Sequence, residues 1–162
     1  LAQVMVVELH AYLGGVRLQA VDRGAVGNLD LDEVARHRQR AAVPPGSAGI
    51  TKTADGYLYL PTGAVRKDFA PDVKPEEQNA IAATQGPIKA DAFGEKVTHA
   101  AWHDKPSWYV VSKNDRMINP ELERAMAKTI HAKTAEVAAS HVSMVSQPEA
   151  IARTIEQARR MH

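Results

Sequence analysis

Two residues suited to acid–base chemistry, Asp115 and His141, stand just past the two most strand-like segments of the chain. Asp115 follows the apolar run "SWYVVS", and His141 follows "TAEVAAS". If these segments are neighbouring parallel strands, about 4.8 Å apart, both side chains lie at one edge of the sheet and can meet. A carboxylate bonded to an imidazole fixes the tautomer of the ring and stabilises its protonated form. The pair is therefore a candidate general base with its orienting acid.

Each residue also has a plainer interpretation. Asp115 alone could cap a turn, and His141 alone could be a polar loop residue. Their matching positions after two successive strands favour the pair over the two separate explanations, because ligands and chemistry gather at the carboxyl ends of the strands in open parallel sheets.

The segments around the pair predict a strand–helix–strand–helix unit. "SWYVVS" is continuously apolar, as expected of a strand covered on both faces. Asn119 and Pro120 predict a helix start with Asn119 as the N-cap. Glu121 and Glu123 fall in the first turn of this helix, where negative charge suits the helix dipole. A helix between two strands predicts a parallel pair with a right-handed crossover.

The last helix is predicted from two local patterns. "SQPE" has the spacing of a capping box, from Ser146 to Glu149. Beyond it, Ile151, Ile155 and Ala158 follow helical spacing and predict one apolar stripe.

The composition limits the class of protein. The chain has 162 residues, 44% of them hydrophobic and 24% charged, as in ordinary globular domains. A net charge of +1 does not indicate the strongly basic surface that binds nucleic acid or an anionic membrane, so neither is expected as a partner. Apolar runs fall short of the roughly 18 residues of a membrane span. The start "LAQVMVVELH" lacks the features of a signal peptide, which predicts a cytoplasmic protein.

The chain divides into three parts that differ in composition and in the regularity of their sequence patterns. Residues 1–43 hold one apolar run, a glycine-studded stretch and a charged segment, and they stay unassigned. Residues 44–104 consist of proline-punctuated loops and short helices, which suit a lid or cap lying over something else. Residues 105–162 hold the regular strand–helix–strand–helix unit.

The stretch "KPSWYVVSKNDRMINPELERAMAKTIHAKTAEVAASHVSMVSQPE" resembles the C-terminal part of α/β-hydrolase-fold proteins, in particular the esterase-like branch related to plant methyl esterases and hydroxynitrile lyases. In that pattern one late strand ends at the triad aspartate, here Asp115 in "SKNDRMINP". The next strand ends at the triad histidine, here His141 in "SHVSMVSQP". The piece from "ADGYLYL" to "DKPSWY" resembles the lid of this branch. The resemblance covers roughly residues 44–162 and does not include residues 1–43.

The resemblance implies an α/β fold: a partial α/β-hydrolase fold, in which an irregular, mainly helical lid precedes the C-terminal parallel unit. It implies acyl transfer from a small-molecule ester to water, with Asp115 and His141 as catalytic residues and neither a cofactor nor a metal.

The nucleophile of this triad is missing from the sequence. In the family it precedes the acid and sits in a G-x-S-x-G turn between strand and helix. The serines before Asp115 are Ser47, Ser107 and Ser112, and none has that setting. Asp22, in "AVDRG", has the frame of an aspartate nucleophile, but glycines and an asparagine follow where a helix should begin. We therefore expect a truncated or inactive form.

Two further interpretations remain open. His99 and His103 are four residues apart and could share a helix face as metal ligands, but no third ligand follows at a known spacing, so we expect surface histidines and no metal site. A non-catalytic remnant of the fold could instead bind a small apolar ligand, or self-associate as a homo-oligomer through exposed strand edges.

Overall fold

The structure, a computed structural model, describes residues 5–6, 43–94, 101–103 and 105–160. Its strands are β1 (Met5–Val6), β2 (Thr51–Lys52), β3 (Tyr57–Tyr59), β4 (Ile88–Lys89), β5 (Ser107–Ser112) and β6 (Lys133–Val137). Its α-helices are α1 (Thr62–Ala64), α2 (Pro75–Thr84), α3 (Pro120–Thr129), α4 (Ser143–Ser146) and α5 (Pro148–Arg160). Short 3₁₀ turns cover Pro45–Gly49, Ala90–Gly94 and Ala101–His103, and a π-type turn, Val65–Phe69, continues α1.

A parallel sheet in the order β1-β5-β6 carries the candidate pair. β5 lies at its centre and is buried along its whole length, because strands cover both of its edges and apolar groups cover its faces. In the pairing of β5 with β6, Trp108 lies opposite Lys133 and Ser112 lies opposite Val137. The predicted parallel pair is confirmed, and its aligned ends bring the two following loops to the same edge of the sheet.

Helix α3 connects β5 to β6 and begins as predicted. The Asn119 side chain accepts a hydrogen bond from the backbone N–H of Glu121 at 2.9 Å, so Asn119 is the N-cap, and Pro120 occupies the first turn. The apolar side of α3 packs on β5 in a first hydrophobic cluster, whose buried members are Tyr109, Val111, Ile118, Met126, Ala127 and Ile130.

The predicted start of α5 is wrong. The carbonyl of Gln147 accepts the N–H groups of Ala150 and Ile151, which makes Gln147 the residue that opens the helix. Ser146 instead closes α4, and its buried hydroxyl has no hydrogen-bond partner within the described ranges. The predicted apolar stripe is correct at Ile151 and Ala158, whereas Ile155 is 44% exposed. Thr154 takes the buried position, and its hydroxyl donates to the carbonyl of Ala150 one turn earlier.

The middle segment, residues 43–94, contains a small antiparallel sheet in the order β2-β3-β4, which the sequence did not reveal because each strand has only two or three residues. A second hydrophobic cluster joins this segment to the C-terminal unit. Its buried members are Leu60, Val65, Phe69, Ala70, Met117 and Val142. Met117 and Val142 come from the loops after β5 and β6, so the middle segment packs directly beside the candidate pair.

Among the described residues, β6 is a terminal strand of the parallel sheet, and Lys133, Thr134 and Glu136 on it are exposed. Charged side chains on an edge strand oppose pairing with another chain, and self-association through strand edges stays a prediction. In the same part of the chain, no helix is both long enough and apolar enough to cross a bilayer. Of the unassigned residues 1–43, the structure describes Met5, Val6 and Val43.

Candidate active site

Asp115 and His141 meet at the carboxyl ends of β5 and β6. The Nδ1–H of His141 donates to Oδ2 of Asp115 at 2.7 Å, and the exposed fractions of the two side chains are 7% and 2%. A carboxylate partner on Nδ1 makes Nε2 the nitrogen that can take up a proton. The arrangement can therefore act as a general base with its orienting acid.

The Asp115 carboxylate is held by the loop that carries it. Its Oδ1 accepts the backbone N–H groups of Met117 at 2.6 Å and Ile118 at 3.0 Å, which closes a tight turn before α3. Burial by itself would raise the pKa of Asp115. The hydrogen bond and charge of His141, with hydrogen bonds from the Glu123 side chain and the Ile118 N–H, outweigh burial and lower that pKa. Asp115 is therefore ionised at neutral pH and points its second oxygen at the imidazole.

The loops after β5 and β6 are also bonded to each other. The N–H of Lys113 donates to the carbonyl of Val137 at 2.9 Å, and the N–H of Asn114 donates to the carbonyl of Ala139 at 3.1 Å. These bonds continue the ladder of the sheet past the ends of its strands. They fix the distance between the backbone segments that carry the acid and the base.

The middle segment contacts the loop of His141 in two ways. The Phe69 ring lies against the imidazole, with centroids 4.9 Å apart and planes tilted by 47°. Asp72 accepts the backbone N–H of Ser140 at 2.7 Å and also the hydroxyl of Ser140. Both contacts restrict the position of the residue that carries the base.

The middle segment also holds the loop of Asp115. Nε–H of Arg116 donates to Oδ1 of Asp68 at 2.7 Å, and the N–H of Gly46 donates to the carbonyl of Arg116 at 2.8 Å. A Cβ on Gly46 would lie 2.3 Å from the sulfur of Met117 and 2.8 Å from the carbonyl oxygen of Arg116. Only glycine therefore allows the chain to approach this closely without a shift of the loop.

Glu123 is a site residue that sequence reasoning missed. It lies in the first turn of α3, as predicted, but it is 4% exposed and its Oε2 accepts the N–H of Ser112 at 2.8 Å. Burial first, and then the hydrogen bond and charge of Asp115, raise the pKa of Glu123 to about 9. A signal for its burial was present, because Glu123 is in helical register with Met126, Ala127 and Ile130 on the apolar face.

The other sequence candidates do not join the site. Ser107 and Ser112 are buried in β5, the strand that leads to the acid, and Ser47 lies in the turn Pro45–Gly49. Asp22 and His99 lie outside the described residues.

His103 differs from the predicted surface histidine, because both of its ring nitrogens are buried and have no hydrogen-bond partner among the residues that the structure describes, and its ring lies 5.6 Å from that of Trp102. Within the described ranges, no group of three acidic, histidine or cysteine side chains could hold a metal ion.

Comparisons with known proteins agree with the α/β fold. The model of the "Alpha/beta hydrolase family" matches residues 3–154, which extends the match into the segment that the sequence analysis left unassigned. No curated protein sequence matches the chain.

Two solved structures, of polyneuridine aldehyde esterase and of a histidine-to-alanine mutant of it, are similar in fold. Each has a TM-score of 0.59 and 10% sequence identity, and each match covers 76% of this chain and 53% of the other. The chain thus spans about half the length of these structures.

Proposed function

The chain belongs to the alpha/beta hydrolase family, and we propose that it carries the acid and the base of an esterase-like site that transfers the acyl group of a small ester to water. The observation that supports this most directly is the buried hydrogen bond of 2.7 Å between His141 and Asp115, at the sheet edge where such chemistry is positioned. The fold likeness to an esterase agrees with this reaction class.

In this proposal, Nε2 of His141 removes the proton from an attacking hydroxyl and later returns it to the leaving alcohol. Asp115 keeps Nδ1 protonated and stabilises the positive charge that develops on the ring. The turn formed by the N–H groups of Met117 and Ile118 keeps the carboxylate fixed during both steps. Phe69 limits the tilt of the imidazole through their ring contact.

The missing partner is the nucleophile. The sequence contains no G-x-S-x-G turn, and each serine before Asp115 lies in an unsuitable segment. We therefore propose that the 162-residue chain is by itself a truncated or inactive form. Removal of the nucleophile alone lowers kcat by about six orders of magnitude in a serine hydrolase, and the acid and base do not compensate for that loss.

A direct test is the hydrolysis of p-nitrophenyl acetate by the purified 162-residue chain and by its H141A variant. We expect equal, background rates for the two, because the base has no nucleophile to activate. Robust turnover that H141A abolishes would overturn the proposed inactivity.

A second test concerns the esterase-like role of the pair. The nucleotide sequence upstream of Leu1 should be read in all frames for a G-x-S-x-G turn. Where one is found, we expect the longer protein to hydrolyse short p-nitrophenyl esters, and H141A to reduce kcat by several orders of magnitude. An active longer protein that is indifferent to H141A would exclude His141 as the base.

A further inference from the structure

A second buried carboxyl group lies beside the candidate acid. Glu123, in the first turn of α3, accepts the N–H of Ser112 at 2.8 Å, and burial and the neighbouring Asp115 carboxyl raise its pKa. We propose that Glu123 is a positioning residue: in its protonated form it accepts the Ser112 N–H, donates its O–H to the Asp115 carboxylate, and so holds that carboxylate toward His141.

The burial of these two carboxyl groups and their interaction favour a proton on one of them. Taken over the whole residue, the exposed fraction is 8% for Asp115 and 4% for Glu123. Two carboxylates in contact at such a site repel each other and lose hydration, so one of them stays neutral. A hydrogen bond between two carboxyl groups also needs one proton, because ionised carboxylates only accept.

The surrounding donors decide which carboxyl is neutral. Asp115 accepts two backbone N–H groups and the imidazole N–H, all of which favour its ionised form. In the described part of the chain, Glu123 accepts one N–H group, that of Ser112. The proton therefore resides on Glu123, and the charge resides on Asp115.

The charged groups around Glu123 do not change this assignment. From the loops, Asp115 faces it directly, with His141 behind Asp115. On α3 itself, Arg124 lowers the pKa of Glu123 only as the last of the causes. Its guanidinium is bound at 2.7 Å to both Glu136 and Glu121, on the exposed side of the helix.

This arrangement gives folding a distinctive pH dependence. The pKa of Glu123 is raised from 4.5 to about 9 in the folded chain, so between these values the folded state holds a proton that the unfolded state releases. The contribution of Glu123 to stability is therefore complete below about pH 4.5 and is progressively lost as the pH rises to about 9.

The first test compares the wild type with E123Q. The glutamine amide can make the same hydrogen bonds as a neutral carboxyl group, because its oxygen accepts the Ser112 N–H and its NH₂ donates to Asp115. Urea unfolding is measured at pH 5, 7 and 9. We expect similar equilibrium constants for unfolding at pH 5. Above pH 5, the constant of the wild type should rise relative to that of E123Q by up to about tenfold per pH unit.

The matched control is E121Q, on the same helix turn. Glu121 is 73% exposed and pairs with Arg124, so E121Q should parallel the wild type at all three pH values. Parallel curves for the wild type and E123Q would mean that Glu123 is ionised in the folded chain and would overturn the proposal.

The second test separates positioning from a merely structural role. The Nδ1 proton of His141 gives a low-field resonance in the ¹H NMR spectrum when it is bonded to a carboxylate. E123Q should keep this resonance at its place, whereas E123L, which cannot donate to Asp115, should shift it or lose it to exchange. An unchanged resonance in a folded E123L would overturn the proposal, and if E123L does not fold, the pH series of E123Q decides.

The catalytic meaning of this contact rests on the proposed function, but its tests do not. They measure unfolding and a proton resonance in the 162-residue chain, so absence of esterase activity leaves them interpretable. Conversely, an ionised Glu123 would remove the positioning role and leave the bond between Asp115 and His141 in place.

Discussion

The two hydrophobic clusters of this chain differ in what they hold together. The buried members of the first cluster all lie within the C-terminal unit, where α3 packs on β5. The second cluster takes Leu60, Val65, Phe69 and Ala70 from the middle segment and packs them on Met117 and Val142, the neighbours of the candidate acid and base. The first cluster therefore stabilises the sheet, whereas the second stabilises the sheet and also sets the position of the site.

Polar contacts follow the same division. The middle segment reaches the loop of Asp115 through Asp68 and Gly46, and it reaches the loop of His141 through Asp72. Each contact ends on a residue adjacent to the acid or the base, Arg116 or Ser140. The middle segment therefore does more than cover the sheet. It acts as a clamp, by which we mean that it bonds to and packs on the loops of both Asp115 and His141.

The largest expected effect comes from one deletion in each cluster. F69A should lower the free energy of unfolding by about 3–5 kcal/mol, and I130A, in the first cluster, should lower it by about 2–5 kcal/mol. Only F69A should alter the Nδ1–H resonance of His141, because the Phe69 ring contacts the imidazole. Urea unfolding and ¹H NMR check both expectations. If I130A moved the resonance as far as F69A does, the two clusters would not differ in function.

The two residues of the ion pair Arg116–Asp68 should differ in how much stability their removal costs, because their side chains are 42% and 5% exposed. R116A leaves a buried carboxylate without its cation and should cost about 2–3 kcal/mol. D68A leaves a guanidinium that reaches water and should cost under about 1 kcal/mol. Denaturant unfolding of both variants at pH 7 makes the comparison. Equal losses would show that the contact acts through packing instead of charge.

The C-terminal unit could be predicted because its patterns are local. The β-forming run of β5, the cap at Asn119 and the strand-end positions of Asp115 and His141 all lie within a few residues of the elements that they define. The clamp could not be predicted in this way. Asp68 and Arg116 are 48 positions apart, and Asp72 and Ser140 are 68 positions apart, so no short pattern connects them.

One omission and one error show where local patterns stop short. Glu123 lies in the first helical turn as predicted, but that pattern says nothing of burial, and its register with the apolar face places it inside the protein. Ser146 had the capping-box spacing, but the short helix α4 ends on it, so Gln147 opens α5 instead. In both cases the packing of neighbouring elements decides what the local pattern leaves open.

The smallest of these effects isolates the clamp on the base. Asp72 accepts both the N–H and the hydroxyl of Ser140 from an otherwise exposed position, so D72A should cost about 1–2 kcal/mol. The control is D91A, in the turn Ala90–Gly94, which should stay within about 0.5 kcal/mol of the wild type.

A double-mutant cycle of D72A with S140A separates the contact from its surroundings. The coupling energy should be about 0.5–1.5 kcal/mol, because S140A removes the hydroxyl and leaves the backbone N–H in place. The His141 resonance should broaden in D72A, since the residue before the base is then held by fewer bonds. A coupling energy near zero with a sharp resonance would mean that the clamp acts through the Phe69 contact alone, and the second cluster would then be sufficient to position the base.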